Sequence, residues 1–414
     1  MLFELDDDFY RDPFSRFDGL REQAPVHVLH GTDGSRFWLV LGSAEIRTGL
    51  RDPRLSKDPG RIAAARVAQR RDAGLEEGAS GEQRLGQILE MGEFMRSFTD
   101  EVRVVVKDEL SGEFARTRAP VYRNIADRLL ADLATVDGPL DLVSRFTMPY
   151  ATHVTGALLG YEEDELPAFG GYVAGWMAPD TPEQRAEALA GLFPMIDELI
   201  ARRRATGGED IASALAAKVA SEGRQDADAL VRACLIFILI TVETAVSFLA
   251  TATLALLTHP EQLRLLLAEP LRASEAVEEL LRFTGPHNIS SQRCAVEDME
   301  IGGREIKEGD LVVFALGAAN RDGEHFPEPH CLDITRDTAG HLAFGAGRHY
   351  CPGTHQARTS LTIGLSALLD HFPGIALSGP EQEVPWVRSE LLRSVRVLPV
   401  VLSPERVPSG RPGV

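Results

Sequence analysis

The sequence predicts an α+β fold in which helix predominates, and three observations lead to it. Helical patterning runs almost without interruption from about residue 99 to residue 282 and returns over 352–371. Strand-like runs are confined to two blocks, roughly 24–56 and 285–335. Between them lies no Gly/Ser linker, repeat or low-complexity tract, so the 414 residues read as one domain over 1–414.

The first block begins with a short helix, Pro13 to Glu22. Two strand-like runs follow, Val26-His-Val28 and Phe37-Trp-Leu-Val-Leu41, separated by Gly31-Thr-Asp-Gly, which is a hairpin signal. Lys57 to Phe98 is polar, charged and glycine-dotted, with no evident core face. Within the helical body, Ala233 to Leu257 is almost continuously apolar and long enough to span a bilayer. Asp226 and Asp228 precede it, His259-Pro260 follow and Glu243 sits mid-span. A carboxylate at a membrane centre is costly, so a helix buried inside a large protein is the expected form. Strand signals return at Met299 to Ile306 and Leu311 to Phe314. The last helix, Pro352 to about Asp370, carries Ala357, Leu361, Gly364, Leu365 and Leu368 at helical spacing, and His371-Phe-Pro-Gly stops it.

With 44% hydrophobic residues the chain can bury a large core, and its net charge of −19 argues against nucleic-acid or anionic-membrane partners. Four scattered cysteines without disulfide-framework spacing, and an N-terminus lacking signal-peptide character, point to the cytoplasm.

The densest chemistry is His341-Leu-Ala-Phe344-Gly345-Ala-Gly347-Arg348-His349-Tyr-Cys351-Pro352-Gly353. Glycines 345, 347 and 353 permit positive φ and close approach to a flat, bulky ligand. Pro352 suits a first helical position, which would set Cys351 at a helix N-terminus that lowers a thiol pKa. Such a sulfur can bind one open face of a metal. A redox-active cysteine, or zinc held by His330, Cys331, His349, Cys351 and His355, are the competing readings. Paired cysteines at short spacing or HxxxH on a helix, the usual zinc signals, are missing from the sequence.

Phe344-Gly-x-Gly-x-His349-x-Cys351-x-Gly353 resembles, at each of six fixed residues in ten positions, the haem-binding loop of the bacterial cytochrome P450 family. The resemblance implies heme b (iron protoporphyrin IX), with Cys351 as axial thiolate to the iron, and the family's mostly helical fold. Phe344, Gly345, His349 and Gly353 would then be cofactor-binding. It also assigns Glu279-Leu-Leu-Arg282 to the family's ExxR ion pair, a structural role, since residues three apart share a helix face. The family's third partner falls on Cys331, a departure for which His330 or Arg336 could substitute. Haem propionates need cations or strong donors, and the resemblance points to Arg103, Arg293 and His349. Relatives often show HxxxR around Arg103, where this chain has Thr99, at the expense of one propionate contact.

By the same resemblance, Glu243-Thr244 is the acid–alcohol pair that feeds protons to bound dioxygen. The small pair expected before it, including a glycine at a helix distortion, is replaced by Ile240-Thr241. Ile240 would narrow the pocket, while the Thr241 hydroxyl can bond its own helix backbone and bend it. By position, the substrate pocket takes Phe94, Met95, Ile236, Leu239, Ile240, His287, Asn288, Ile289 and Leu391, with Ser290 as a further polar anchor and Glu390 beside Leu391.

The implied function is a haem monooxygenase of actinobacterial type. It inserts one atom of O2 into a small organic molecule of secondary metabolism, with ferredoxin and ferredoxin reductase as electron donors. Arg103, Lys107, Arg116, Arg118, Arg348 and Arg358 could form a basic face for an acidic ferredoxin. Because of Ile240-Thr241, a haem-thiolate oxidase performing coupling, desaturation, nitration or peroxide-driven chemistry is the alternative. A haem-binding sensor without chemistry is the third reading.

Overall fold

The computed structural model describes residues 7–30, 36–72, 99–177, 181–223, 225–389 and 391–405. The hairpin turn Gly31-Thr-Asp-Gly, the pocket residues Phe94 and Met95, and Glu390 lie outside the described residues.

At the amino end, α1 (Asp7–Arg11) and α2 (Pro13–Gln23) precede an antiparallel hairpin of β1 (Val26–His30) and β2 (Arg36–Val40), with Val26 opposite Val40. The Asp12 side chain accepts from the Phe14 amide and Pro13 opens α2, so local chemistry sets the helix start. Phe14, Phe17 and Leu20 then bury one face. Next come α3 (Ser43–Gly49), β3 (Leu55–Ser56) and α4 (Pro59–Asp72).

The helical body holds α5 (Asp100–Glu109), α6 (Gly112–Leu133), α7 (Met148–Leu159), α8 (Leu166–Met177), α9 (Pro182–Thr206), α10 (Ile211–Ser221), α11 (Ala227–Leu239), α12 (Thr241–Thr258), α13 (Pro260–Ala268) and α14 (Ala273–Thr284). Its sequence forms one large apolar core around α12, eleven of whose residues from Val246 to Leu256 are buried. The long apolar stretch is therefore interior, as expected of a protein of this size, but it is two helices: a turn at Ile240 separates α11 from α12.

β5 (Arg293–Ala295), β6 (Met299–Ile301), β7 (Arg304–Ile306) and β8 (Leu311–Phe314) follow, then the short α15 (Leu316–Asn320) and the final α16 (Thr354–His371). One five-stranded sheet unites the two predicted strand blocks in the order β1-β2-β8-β5-β3. Only its β2–β8 contact is parallel, and that contact joins residues 37–40 to 311–314. A three-stranded sheet of β4 (Pro139–Asp141), β10 (Pro399–Val401) and β9 (Ala376–Leu377) lies outside both predicted blocks. Its strands have two or three residues each, too short for a periodic signal. The architecture is α+β with helix predominating.

One buried ion pair links the helical body to the segment leading to Cys351. Glu279 and Arg282 on α14 meet through two 2.7 Å hydrogen bonds, with both side chains fully buried. Arg282 also donates to the Asn320 carbonyl at 2.8 Å and the Pro329 carbonyl at 2.9 Å. The third partner is Arg336, whose Nε lies 3.3 Å from Glu279 Oε1. Cys331, which occupies the expected position, contributes only its carbonyl, accepting from Arg282 and Arg336. His330 is engaged elsewhere, 3.1 Å from Asp18.

Breaking a buried pair strands one charge, so Glu279→Ala is expected to lower stability by about 3–5 kcal/mol in equilibrium urea unfolding. A variant within about 1 kcal/mol of wild type would contradict this account of the pair.

Candidate active site

Asn320 carries the connection onward. Its side-chain oxygen accepts from the Leu342 amide at 2.6 Å, fixing the start of the glycine-rich loop. The Cys351 amide donates back to the Phe344 carbonyl at 3.0 Å, closing the loop. Gly345 (φ 70°) and Gly347 (φ 71°) sit in the left-handed region, and a Cβ on Gly347 would lie 2.8 Å from the Leu50 carbonyl. Gly353 does not need positive φ, because its φ is −83°. Nor does Pro352 open the helix. α16 begins at Thr354, and the Thr354 hydroxyl donates to the Cys351 carbonyl at 2.6 Å.

A second carboxylate on α14 holds the loop laterally. Glu278 accepts from His341 Nε2 at 2.9 Å and takes a two-point contact from Arg358 of α16. The Arg358 guanidinium lies over the Phe344 ring at 4.7 Å. Burial works to raise the Glu278 carboxyl, but the hydrogen bonds from His341 and Arg358 prevail and hold it at about 2. Sequence reading singled out neither Glu278 nor this bridge.

Cys351 opens onto a cavity of 1720 Å³. That exceeds the roughly 300–1,000 Å³ of a single ligand site, leaving room for a flat macrocycle and a substrate together. Burial raises the thiol pKa, opposed by the Gly353 amide and by Arg103, Lys57 and Arg358. The expected lowering by a helix N-terminus is not found, because the helix begins three residues later and burial dominates; a bound metal would be what keeps the sulfur deprotonated.

Arg103, Arg293 and His349 all line this cavity. Arg293 Nη1 donates to the Leu50 carbonyl at 3.1 Å, while its Nε is buried without a partner. Burial and the neighbouring Arg348 and Arg103 lower its pKa to about 10. Arg103 donates to the Tyr350 carbonyl at 3.2 Å. His349 is not a cation, since burial and the charges of Lys57 and Arg293 depress it to about 3. Its Nε2 accepts from Arg348 Nε at 3.1 Å, which assigns the proton to Nδ1. That Nδ1 makes no hydrogen bond, although an Asp100 oxygen lies 3.5 Å away. Buried donors left without acceptors, beside one cysteine sulfur and two arginines, fit a haem with its iron at Cys351 and its propionates at these donors. For zinc, no group of three or more His, Cys, Asp or Glu able to hold a metal occurs among the described residues.

Glu243 and Thr244 line the same cavity, from the first turn of α12. The Thr244 hydroxyl donates to the Thr241 carbonyl at 3.0 Å, just beyond the turn at Ile240. The helix distortion is therefore present without a glycine, and the Thr244 hydroxyl bonds within the turn of α12 that follows it. Partial burial raises the Glu243 carboxyl pKa, opposed by Arg185.

The expected pocket is corrected in three places. Ile236 and Leu239 are almost fully buried in the helical core, and Phe237 faces the cavity in their stead. The error is one of helix phase. Asn288 packs against Gly317, whose amide donates to its carbonyl, and is not in the lining. Ser290 lines the cavity, but its hydroxyl already accepts from the Phe314 amide and donates to the Ser291 carbonyl. Ile240, His287, Ile289 and Leu391 line it as expected. Burial lowers His287 to about 4, so it is neutral, and its Nδ1 has no hydrogen-bond partner. Lys57, which the sequence did not single out, lines the cavity as well.

The family model described as cytochrome P450 matches residues 176–387. The chain is 35% identical to cytochrome P450 monooxygenase PikC of Streptomyces venezuelae over 401 residues, covering 96% of this chain and 93% of that one. It is equally 35% identical to 6-deoxyerythronolide B hydroxylase of Saccharopolyspora erythraea, covering 96% and 97%. Among solved structures it is similar to the ligand-free P450 monooxygenase TamI, with a TM-score of 0.82, 32% identity and coverage of 97% and 94%. Cytochrome P450 MoxA from Nonomuraea recticatena matches with a TM-score of 0.83, 30% identity and coverage of 97% and 98%.

The Glu278 bridge has a pH signature. A carboxyl depressed in the folded state adds stability above its unfolded pKa of about 4.3 and loses it as pH falls toward the folded value. Glu278→Gln should therefore destabilise by on the order of 3 kcal/mol at neutral pH, with the gap to wild type closing below pH about 4. Thermal unfolding across pH measures this; a gap that stays constant with pH would contradict it.

Proposed function

The chain belongs to the cytochrome P450 family and is a monooxygenase, and we propose that it hydroxylates a bulky secondary metabolite, working as one domain over 1–414 in the cytoplasm. The observation that carries this reading is a single cavity of 1720 Å³ lined by Cys351 and by the Glu243–Thr244 pair. The relatives support the substrate class: one is named for 6-deoxyerythronolide B, and solved relatives hold tirandamycin C or mycinamicin IV.

The cofactor is heme b, held by Cys351 and by donors from Arg103, Arg293 and His349. When bound, it supplies dioxygen binding and the transfer of one oxygen atom to the substrate. The protein's own part is to hold the sulfur, exclude water and deliver protons. Gly345, Gly347 and the Phe344 carbonyl shape the seat of the sulfur. Thr244 shares its hydroxyl proton with the Thr241 carbonyl and can redirect it into the cavity. Glu243, with its raised pKa, keeps a proton available to that hydroxyl at higher pH than an ordinary carboxylate does. Ile240, Phe237, Ile289 and Leu391 give apolar walls, and neutral His287 offers one polar contact to a substrate oxygen.

Ferredoxin and its reductase supply electrons. Lys107, Arg116 and Arg348 are exposed and suit an acidic ferredoxin. Arg103 and Arg358 leave that proposed face, because the first lines the cavity and the second is tied to Glu278. The Glu243–Thr244 pair at the cavity wall favours monooxygenation over the coupling, desaturation, nitration and peroxide alternatives.

Titration of the purified enzyme with a panel of macrocyclic and polycyclic natural products, read by the Soret shift, identifies the substrate class. With a hit in hand, Thr244→Ala and Glu243→Gln should each lower product formed per reduced nicotinamide consumed by about tenfold or more. The alkaline fall in turnover should be altered in Glu243→Gln. Unchanged O2-dependent coupling in both variants would overturn the proton-delivery roles.

A further inference from the structure

Among the cationic side chains that line the cavity, Lys57, Arg103 and Arg293 repel one another, and only the two arginines were expected. β3 pairs antiparallel with β5, with Leu55 opposite Ala295 and Ser56 opposite Cys294. One residue further along the same register, Lys57 comes opposite Arg293. Directly opposed residues on antiparallel strands project to the same side, and both line the cavity together with Arg103. No hydrogen bond or ion pair holds the Lys57 ammonium among the described residues. Burial, with the charges of Arg293 and Arg103, lowers its pKa to about 7, so the cluster repels itself. The anionic counterweights are slight: Asp52 acts on Arg293, Asp100 is a 67% exposed side chain, and Cys351 is protonated unless a metal holds it.

A cation cluster that repels itself is suited to an anionic occupant. The need is sharpened at Thr99, where a propionate-binding histidine was expected. That side chain is spent on capping α5, its hydroxyl accepting from the Val102 amide.

We infer that Lys57 is a haem-propionate donor of this chain, acting beside Arg293 through a charge-assisted hydrogen bond and making good the contact that Thr99 cannot supply. The inference rests on the haem-thiolate reading above. It makes the Lys57 charge depend on the occupant: the propionate restores an ammonium that its neighbours would otherwise discharge. Lys57 then contributes to haem retention, not to proton delivery.

The test compares holoenzyme of wild type, Lys57→Met and Lys57→Arg. Met keeps the length and apolar stem but removes the charge, and Arg restores a cation. The readouts are haem loss to excess apomyoglobin and the reduction potential of the substrate-free enzyme. Lys57→Met is expected to lose haem about tenfold faster and to shift the potential to more negative values, with Lys57→Arg close to wild type. Haem loss and potential unchanged in Lys57→Met, with weakened binding of carboxylate-bearing ligands alone, would overturn the proposal and assign the ammonium to substrate. A wild-type protein that takes up no haem would instead overturn the underlying reading, so the two failures are distinct.

Discussion

The site depends on the burial of one ion pair. Glu279 and Arg282 satisfy each other inside the protein, and the remaining donors of Arg282 are aimed at the carbonyls of Asn320 and Pro329. Asn320 then receives the Leu342 amide, and the loop that closes from Cys351 to Phe344 begins there. A buried charge pair is a poor source of net stability, because desolvation offsets most of the Coulomb attraction. Its effect here is positional. It joins α14, α15 and the loop so that a cysteine outside any helix or strand is held at a cavity wall. Glu278, the neighbouring residue, adds the lateral tie to α16 through Arg358.

The sulfur and the cavity therefore have opposite physical characters. The loop is fixed by backbone hydrogen bonds and two left-handed glycines. The cavity beyond it is lined by atoms left without partners among the described residues, including Arg293 Nε, His349 Nδ1 and His287 Nδ1. Such unpartnered polar atoms are costly in a finished interior, and they make sense where a cofactor and a substrate complete the structure.

Much of this was legible in the sequence because it is local. The loop motif, the ExxR spacing, the Glu243-Thr244 pair and the order of helices and strands are each written within a few residues of one another. What escaped is set by tertiary geometry. Arg336 takes the place expected of Cys331 because its side chain can reach Glu279, which no spacing reveals. The wall at Phe237 in place of Ile236 and Leu239 depends on the phase of α11, and an all-apolar helix gives no face to read. Lys57 becomes visible only through the pairing of β3 with β5, across more than 200 residues of chain. Gly353 and Pro352 show the limit even within a motif: the helix begins later than the proline implies, and only two of the three glycines need their conformational freedom.

The account stands on Cys351 as the thiolate that holds a haem. The direct measurement is the carbon monoxide difference spectrum of the reduced, purified protein, taken beside that of Cys351→Ser. The account predicts the thiolate-type Soret band in wild type and its loss in Cys351→Ser, with Glu279 and Arg282 unaltered. A folded wild-type protein that binds haem yet shows no thiolate signature would contradict it.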